Sequence, residues 1–367
     1  MKVKKRTFGV LASGQKVSIY TISNDEMSFS AIDYGCCITS ILLPSKSGGF
    51  DDVTLGYSTL DGYIHNTPHF GSLIGRYAGR IKNAEFALGA RKYLLTPNAE
   101  GKHCLHGGYP SYDKEIWNSK YFCHSHEAGV CFDRISPDGE QGFPGKLTLT
   151  VTYTLTCDNE IIIRYEAFST RTSPINLTNH TYFNLNPPGM RADGRYVLAL
   201  NHELQIFSDL YVETDKELLP TGNFVSVEGT PYDFRNPKLL RTDIERTNGG
   251  YDGTWFIGPP KKDQKMLAAI IREPMSKREI SVFSTQPGLT MYTANFLKGE
   301  IGKNGDAYNP QSAVCLESQH LPDSPNQANF PPAIVTPDIP YRHETSWLFK
   351  FEFFTLRLCI QNDIAKT

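Results

Sequence analysis

Five polar side chains stand in, or just beyond, runs that otherwise read as β-strands. They are Arg80 in LIGRYAGRI, His106 in HCLHGG, His180 in NLTNHTYFNL, Asp252 in GGYDGTW and Glu317 in AVCLESQ. Glu317 closes the apolar run Ala313 to Leu316, where an ionised carboxylate is costly to bury without partners. It reads either as an edge-strand carboxylate facing solvent or as a base whose proton affinity is raised by apolar walls. His180 lies between Asn179 and Thr181, so it is either a structural histidine held by its neighbours or half of an acid–base pair. Asn176 and Asn179 each open an N-x-T sequon, which adds a glycosylated surface strand as a third reading of that stretch. His106 precedes Gly107 and Gly108, a pair that makes a turn or lets backbone approach a ligand closely.

Other chemistries lack their signatures. His103 and His106 form H-x-x-H, but in a Gly-rich turn, and neither C-x-x-C nor H-E-x-x-H occurs, so no metal site is expected. There is no G-x-S-x-G nucleophile elbow. GRYAGR lacks the spacing and the Lys-Ser/Thr of a phosphate loop, which removes the usual marks of phosphoryl and hydride transfer.

The elements that must position these groups are strands. LTLTVTYTL (147–155) alternates apolar residues with four threonines, the pattern of a half-buried antiparallel strand. EIIIRYEAFS follows after Cys157-Asp158-Asn159, which predicts a tight hairpin. REISVFSTQPG, TMYTANFL, SAVCLES and WLFKFEFFTLRL read as further strands, and the best short helix lies around Tyr57 to His65. With 30 Gly and 23 Pro as punctuation, the expectation is an all-β chain, a large antiparallel sandwich or related barrel. The Pro-rich stretch 321–340 reads as a long loop, so residues 1–367 are expected to form one domain. Its last ~10 residues, ending CIQNDIAKT, are a tail without an assigned role.

The bulk composition narrows the partners. Hydrophobic residues make up 40% of the 367 and aromatics 12%, enough for a substantial core. A net charge of −2 makes no electrostatic case for nucleic acid or an anionic membrane. Eight scattered cysteines fit buried free thiols in a reducing compartment, and the N-terminus lacks a sustained apolar signal segment. A cytoplasmic protein is expected.

Taken together, GRYAGRI, HCLHGG followed by SYDKEIW, RISPDGEQGFPG, INLTNHTYFNL, QPGLTMYTANFL and CLESQHLPD resemble the aldose 1-epimerase (galactose mutarotase) family, in its order and approximate spacing over residues 70 to 332. The resemblance implies a β-sandwich with a sugar-binding cleft on a concave sheet face. It implies interconversion of the α and β anomers of hexoses such as galactose and glucose, without a metal or organic cofactor. Carried over, Glu317 is the general base and His180 the general acid, while Arg80, His106, Asp252 and Gln286 bind substrate. Ring opening accounts for such residue types: a carboxylate takes the C1 hydroxyl proton as an imidazolium protonates O5. Tyr182, Tyr292 or Trp255 would stack on the sugar or simply pack in the core. The expected partner is a small aldose, bound by a monomer or simple dimer.

Two positions depart from the family pattern. Gly79 precedes Arg80 where an Asn that bonds substrate is usual, and Gly253 and Thr254 follow Asp252 where a polar residue such as His is common. Both bear on sugar preference more than on the acid or base. Two rival readings remain: a hexose-6-phosphate 1-epimerase, with only Arg76 and Arg80 as cations near the motifs, and a non-catalytic sugar-binding protein of the same fold.

Overall fold

The alternation at 147–155 is realised in the strand Leu147–Thr156. Leu147, Leu149, Val151, Tyr153 and Leu155 are fully buried in the core, each such burial stabilising the fold by roughly 1.5–3 kcal/mol. The strand pairs antiparallel with Glu160–Ser169 in register from Leu147↔Ser169 to Leu155↔Ile161. Asn159 supplies the turn with a left-handed φ of 61°, a conformation Asn tolerates better than most residues. The computed structural model describes residues 1–186, 197–259 and 264–352, so the end of the predicted strand WLFKFEFFTLRL from Phe353 onward and the CIQNDIAKT tail lie outside the described residues.

Three antiparallel sheets dominate. A five-stranded sheet holds the N-terminal strands from Lys2–Val10 to Phe50–Asp52. A nine-stranded sheet runs from Asn118–Cys123 through the hairpin above to Tyr341–Phe351, Arg278–Ser284 and beyond. A six-stranded sheet is ordered Tyr182–Phe183, Val314–Gln319, Gly288–Tyr292, Asp252–Phe256, Leu210–Thr214 and Pro220–Ser226. Its inward face contributes Trp255, Leu289, Met291, Val314 and Leu316 to one core shared with the nine-stranded sheet. Phe183 meets Trp347 across that core edge to face, ring centres 5.0 Å apart. The architecture is an antiparallel β-sandwich. The expected helix near residues 57–65 is a short turn of helix, Leu60–Ile64.

Because side chains alternate along a strand, the same register that buries Val314 and Leu316 turns Cys315, Glu317 and Gln319 to the other face. On the neighbouring strands Thr290 pairs with Glu317, and Asp252 pairs with Tyr292. The outer face of the six-stranded sheet is therefore a polar floor bordered by aromatics.

Candidate active site

A cleft of about 260 Å³ opens on that floor. The sheet supplies Glu317, Asp252, Thr290, Tyr292 and Gln319, and loops from residues 67–80 and 105–106 supply the opposite wall. Arg80, His106, His180, Asp252 and Glu317, singled out from the sequence, all line it.

His180 Nε2 lies 3.5 Å from Glu317 Oε1, with both side chains almost wholly buried. Burial pushes the Glu317 carboxyl well above its ordinary value, and the charge of Asp252 adds to the effect. Burial and then the neighbouring His69 bring His180 down to about 3. Both shifts favour the neutral forms, a carboxylic acid beside an uncharged imidazole with one proton to move between them.

The backbone, not the neighbouring Asn and Thr side chains, aims His180. Its N–H donates to Ser72 O at 2.9 Å and its carbonyl accepts from Gly71 N–H at 3.0 Å. Its ring stacks on Tyr182, centres 5.0 Å apart and planes within 14°. Asn179 instead donates to Gly71 O and to Tyr153 Oη, and Asn176 bridges Ala78 O and His320 O. Both sequon asparagines are buried and committed to these bonds, so neither offers a glycan site in the folded chain.

His106 is held by the residue that departs from the family pattern. Gly79 N–H donates to His106 Nδ1 at 3.3 Å, and Gly79 O accepts the His106 N–H at 3.1 Å. With Nδ1 accepting, the proton sits on Nε2, which makes His106 a donor. Gly79 has φ +77°, and a Cβ there would stand 2.9 Å from Pro322 Cβ. Burial, with the charges of His69, His180 and Arg80, keeps His106 well below its ordinary value and so neutral.

Arg80 and Asp252 complete the wall. No hydrogen bond or ion pair engages the Arg80 guanidinium among the described residues, and its Nε is buried without a partner. Burial raises Asp252 to about 6, against the opposing charge of Arg80. Both are groups left unspent by the protein and able to bond hydroxyls in a fork.

Gln286 stands apart from these groups. It is fully buried behind the sheet, its Nε2 donating to Leu177 O and Ser318 O and its Oε1 accepting from Tyr341 Oη. It does not line the cleft, where the amide is Gln319, donating to Thr290 Oγ1 at 2.8 Å with its own Oε1 unpartnered. The alternation of the 314–319 strand, continued two residues past Glu317, would have pointed to Gln319. Trp255 likewise belongs to the core, donating Nε1–H to Tyr232 O, while Tyr182 and Tyr292 border the cleft. Arg76 is buried and spent on Pro137, Pro144 and Gly145 carbonyls, which leaves Arg80 as the one cation of the two that faces the site.

The sequence reading did not single out His69. Its Nδ1 lies 3.0 Å from Asp113 Oδ2, and its ring stands beside those of His106 and His180. Burial would raise Asp113, but the His69 hydrogen bond and charge, with Lys114 and Ser111, outweigh it and hold the carboxyl well below its usual range.

Two groups of potential metal ligands occur among the described residues. In one, His180, Cys315 and Glu317 each offer an atom within 4.8 Å of the others. Burial keeps the Cys315 thiol protonated, and Cys315 does not line the cleft. In the other, Glu100, His103 and Glu217, His103 Nδ1 accepts from Asn83 N–H, so its Nε2 carries a proton toward Glu217 rather than a lone pair toward a cation. His103 and His106 thus face different partners.

Known proteins show the same arrangement of sequence and fold. The profile of the family described as aldose 1-epimerase matches residues 18–347. A galactose mutarotase of Mus musculus is 40% identical over 354 residues, covering 96% of this chain and 99% of that one. An aldose 1-epimerase of Escherichia coli K12 is 36% identical, covering 87% and 90%. Among solved structures, a GalM/aldose epimerase homologue from C. elegans superposes with a TM-score of 0.80 at 27% identity, covering 91% of this chain and 98% of that one.

Proposed function

The chain belongs to the aldose 1-epimerase family, and within that family we propose how its own residues divide the work. It is an isomerase that interconverts the α and β anomers of aldoses. The contact between His180 Nε2 and Glu317 Oε1 at 3.5 Å, on the wall of the cleft, carries the assignment of roles.

Glu317 takes the proton of the C1 hydroxyl while His180 donates one to O5, and the C1–O5 bond breaks to give the open-chain aldehyde. Rotation about C1–C2 presents the other carbonyl face. Glu317 then returns its proton to the carbonyl oxygen, and His180 recovers its own from the attacking hydroxyl. The pair holds the same number of protons before and after ring opening, so it is regenerated by the closing step without bulk solvent. Burial favours the neutral pair, which is the form that begins ring closure. A bound pyranose offers O1–H to the carboxylate and O5 to the imidazolium, and these hydrogen bonds favour the charged form that begins opening.

Asp252 accepts from sugar hydroxyls, Arg80 donates in a fork, and His106 donates through Nε2, while Tyr182 and Tyr292 flank the ring. Gly79 serves through its backbone by fixing the His106 tautomer. The cleft is complete within one chain, so a monomer or simple dimer suffices. One hydrophobic cluster spans Tyr20 to Phe349, which favours reading 1–367 as one catalytic domain. Seven free cysteines among the described residues suit a cytoplasmic location, and no described helix is long and apolar enough to cross a membrane.

Polarimetry on freshly dissolved α-D-galactose and α-D-glucose tests the assignment. Catalytic amounts of the protein should speed the approach to anomeric equilibrium, and Glu317→Gln should abolish nearly all of the acceleration. A Glu317→Gln protein that retains full rate would refute it.

A further inference from the structure

Two segments that line the cleft are tied to each other outside it. The loop 97–106 brings Leu105 and His106 to the wall that faces the sheet, and the turn 215–219, which follows the sheet strand Leu210–Thr214, brings Leu218. Each segment is braced within itself. Asn98 Oδ1 accepts from Leu105 N–H at 2.7 Å, and Asn98 Nδ2 donates to Leu105 O at 2.9 Å. The N–H groups of Asn98 and Ala99 donate to His103 O, and His103 N–H donates to Ala99 O. The position of Lys102 and His103 is thereby carried to Leu105 and His106. In the turn, Asp215 Oδ1 accepts from Glu217 N–H at 2.8 Å and from Leu219 N–H at 3.1 Å, with Leu218 at φ +58° between them.

Glu217 joins the two segments. Lys102 Nζ donates to both of its carboxylate oxygens, each at 3.0 Å. His103 stands behind the pair, wholly buried, with Nδ1 accepting from Asn83 N–H at 3.0 Å, so the ring proton sits on Nε2. That Nε2 is buried without a hydrogen-bond partner among the described residues, and Glu217 Oε2 lies 3.6 Å from it. An exposed ion pair alone contributes little, because two long side chains must be ordered and salt screens their charges. Here the Asp215 cap has already fixed the backbone of Glu217, and burial has fixed the second donor. None of Glu217, Lys102 and His103 lines the cleft.

We propose that Glu217, held by Lys102 and His103, is a strap that fixes the spacing of Leu218 and His106 and so keeps the cleft at the width that holds a sugar. The proposal rests on the reading of His106 as a donor to the substrate. Glu217 and Lys102 are positioning residues that act through the walls, with no part in the proton transfers.

The test is steady-state mutarotation of D-galactose by the wild type, Lys102→Met, Glu217→Gln, the double variant and Lys102→Arg, with thermal unfolding of each. KM should rise about 3-fold in either single variant, with kcat within about twofold and the unfolding midpoint unmoved. The double variant should be no worse than Glu217→Gln, and Lys102→Arg, which keeps a fork for the carboxylate, should stay near the wild type. Raising NaCl from about 0.05 to about 1 M should lift the wild-type KM toward that of Glu217→Gln and leave that variant unchanged. An unaltered KM in both single variants overturns the proposal. So do additive losses in the double variant, a kcat that falls as far as KM rises, or equal salt effects on wild type and Glu217→Gln. Galactose binding without acceleration by the wild type would overturn the acid–base reading alone, and the same comparisons made on Kd by calorimetry would then decide for or against the strap.

Discussion

His180, in the link between the short strands Thr178–Asn179 and Tyr182–Phe183, and Glu317, on the strand Val314–Gln319, are far apart in sequence, yet their Nε2 and Oε1 atoms lie 3.5 Å apart at the wall of the cleft. Groups that act as a unit in one proton circuit lose function together. Glu317→Gln and His180→Asn should each lower kcat by roughly 10²- to 10⁴-fold, with the double variant little worse than either single one. Polarimetry on all three proteins, with circular dichroism to confirm folding, checks this. Additive losses would mean the two groups act independently.

Gly79 carries the His106 tautomer on its backbone at φ +77°. In Gly79→Ala the new Cβ meets Pro322 and the backbone must leave the left-handed region, costing about 1 kcal/mol or more. KM should rise more than kcat falls, because His106 binds and does not transfer protons. Urea unfolding and steady-state kinetics together measure both parts.

Asp252 gains its proton near pH 6, where burial has raised it. Its role as acceptor from sugar hydroxyls requires the carboxylate, so kcat/KM should decline as pH falls through about 6. Asp252→Asn should lower kcat/KM at neutral pH and remove this inflection from the profile. An unchanged inflection in that variant would assign it to another group.

Five histidines with lowered proton affinity should shape the acid stability. Burial lowers His180 and His320 to about 3, His202 and His343 to about 4, and His106 well below the ordinary 6.5. Such groups favour the folded state above 6.5, and that contribution is lost as pH falls toward 3–4, because the unfolded chain binds their protons first. Glu317 and Asp252 are shifted upward and oppose part of this. Unfolding free energy should therefore rise with pH between 4.5 and 6.5 by on the order of 3 kcal/mol per unit near pH 5. His343→Asn, next to His320 at 3.2 Å between Nε2 atoms, should flatten that slope.

Gln286 is a test of architecture. Gln286→Ala strips donors from the buried carbonyls of Leu177 and Ser318, at a cost of about 1–3 kcal/mol. Thermal unfolding should register that loss while KM for galactose stays within about twofold. A large KM increase with unaltered stability would put the side chain in the cleft after all.

Much of this was legible in the order of residues, for physical reasons that are local. A period of two is set by the pleat of a single strand, so the Leu147–Thr156 pattern and its hairpin could be read without a fold. An apolar run ending in Glu317 left two readings, a carboxylate facing solvent from an edge strand or one whose proton affinity desolvation raises, and the burial of the side chain in the fold decided between them. What the sequence could not settle was who faces whom. Gln286 and Gln319 are both strand-border glutamines in family-like motifs, and only the pairing of the Gly288–Tyr292 and Val314–Gln319 strands turns one behind the sheet and the other into the cleft. His69 lies 44 residues from Asp113, and no local pattern joins them. A hydrogen bond between distant loops exists only once both are packed against the same sheet, and so does the ring of imidazoles that it completes.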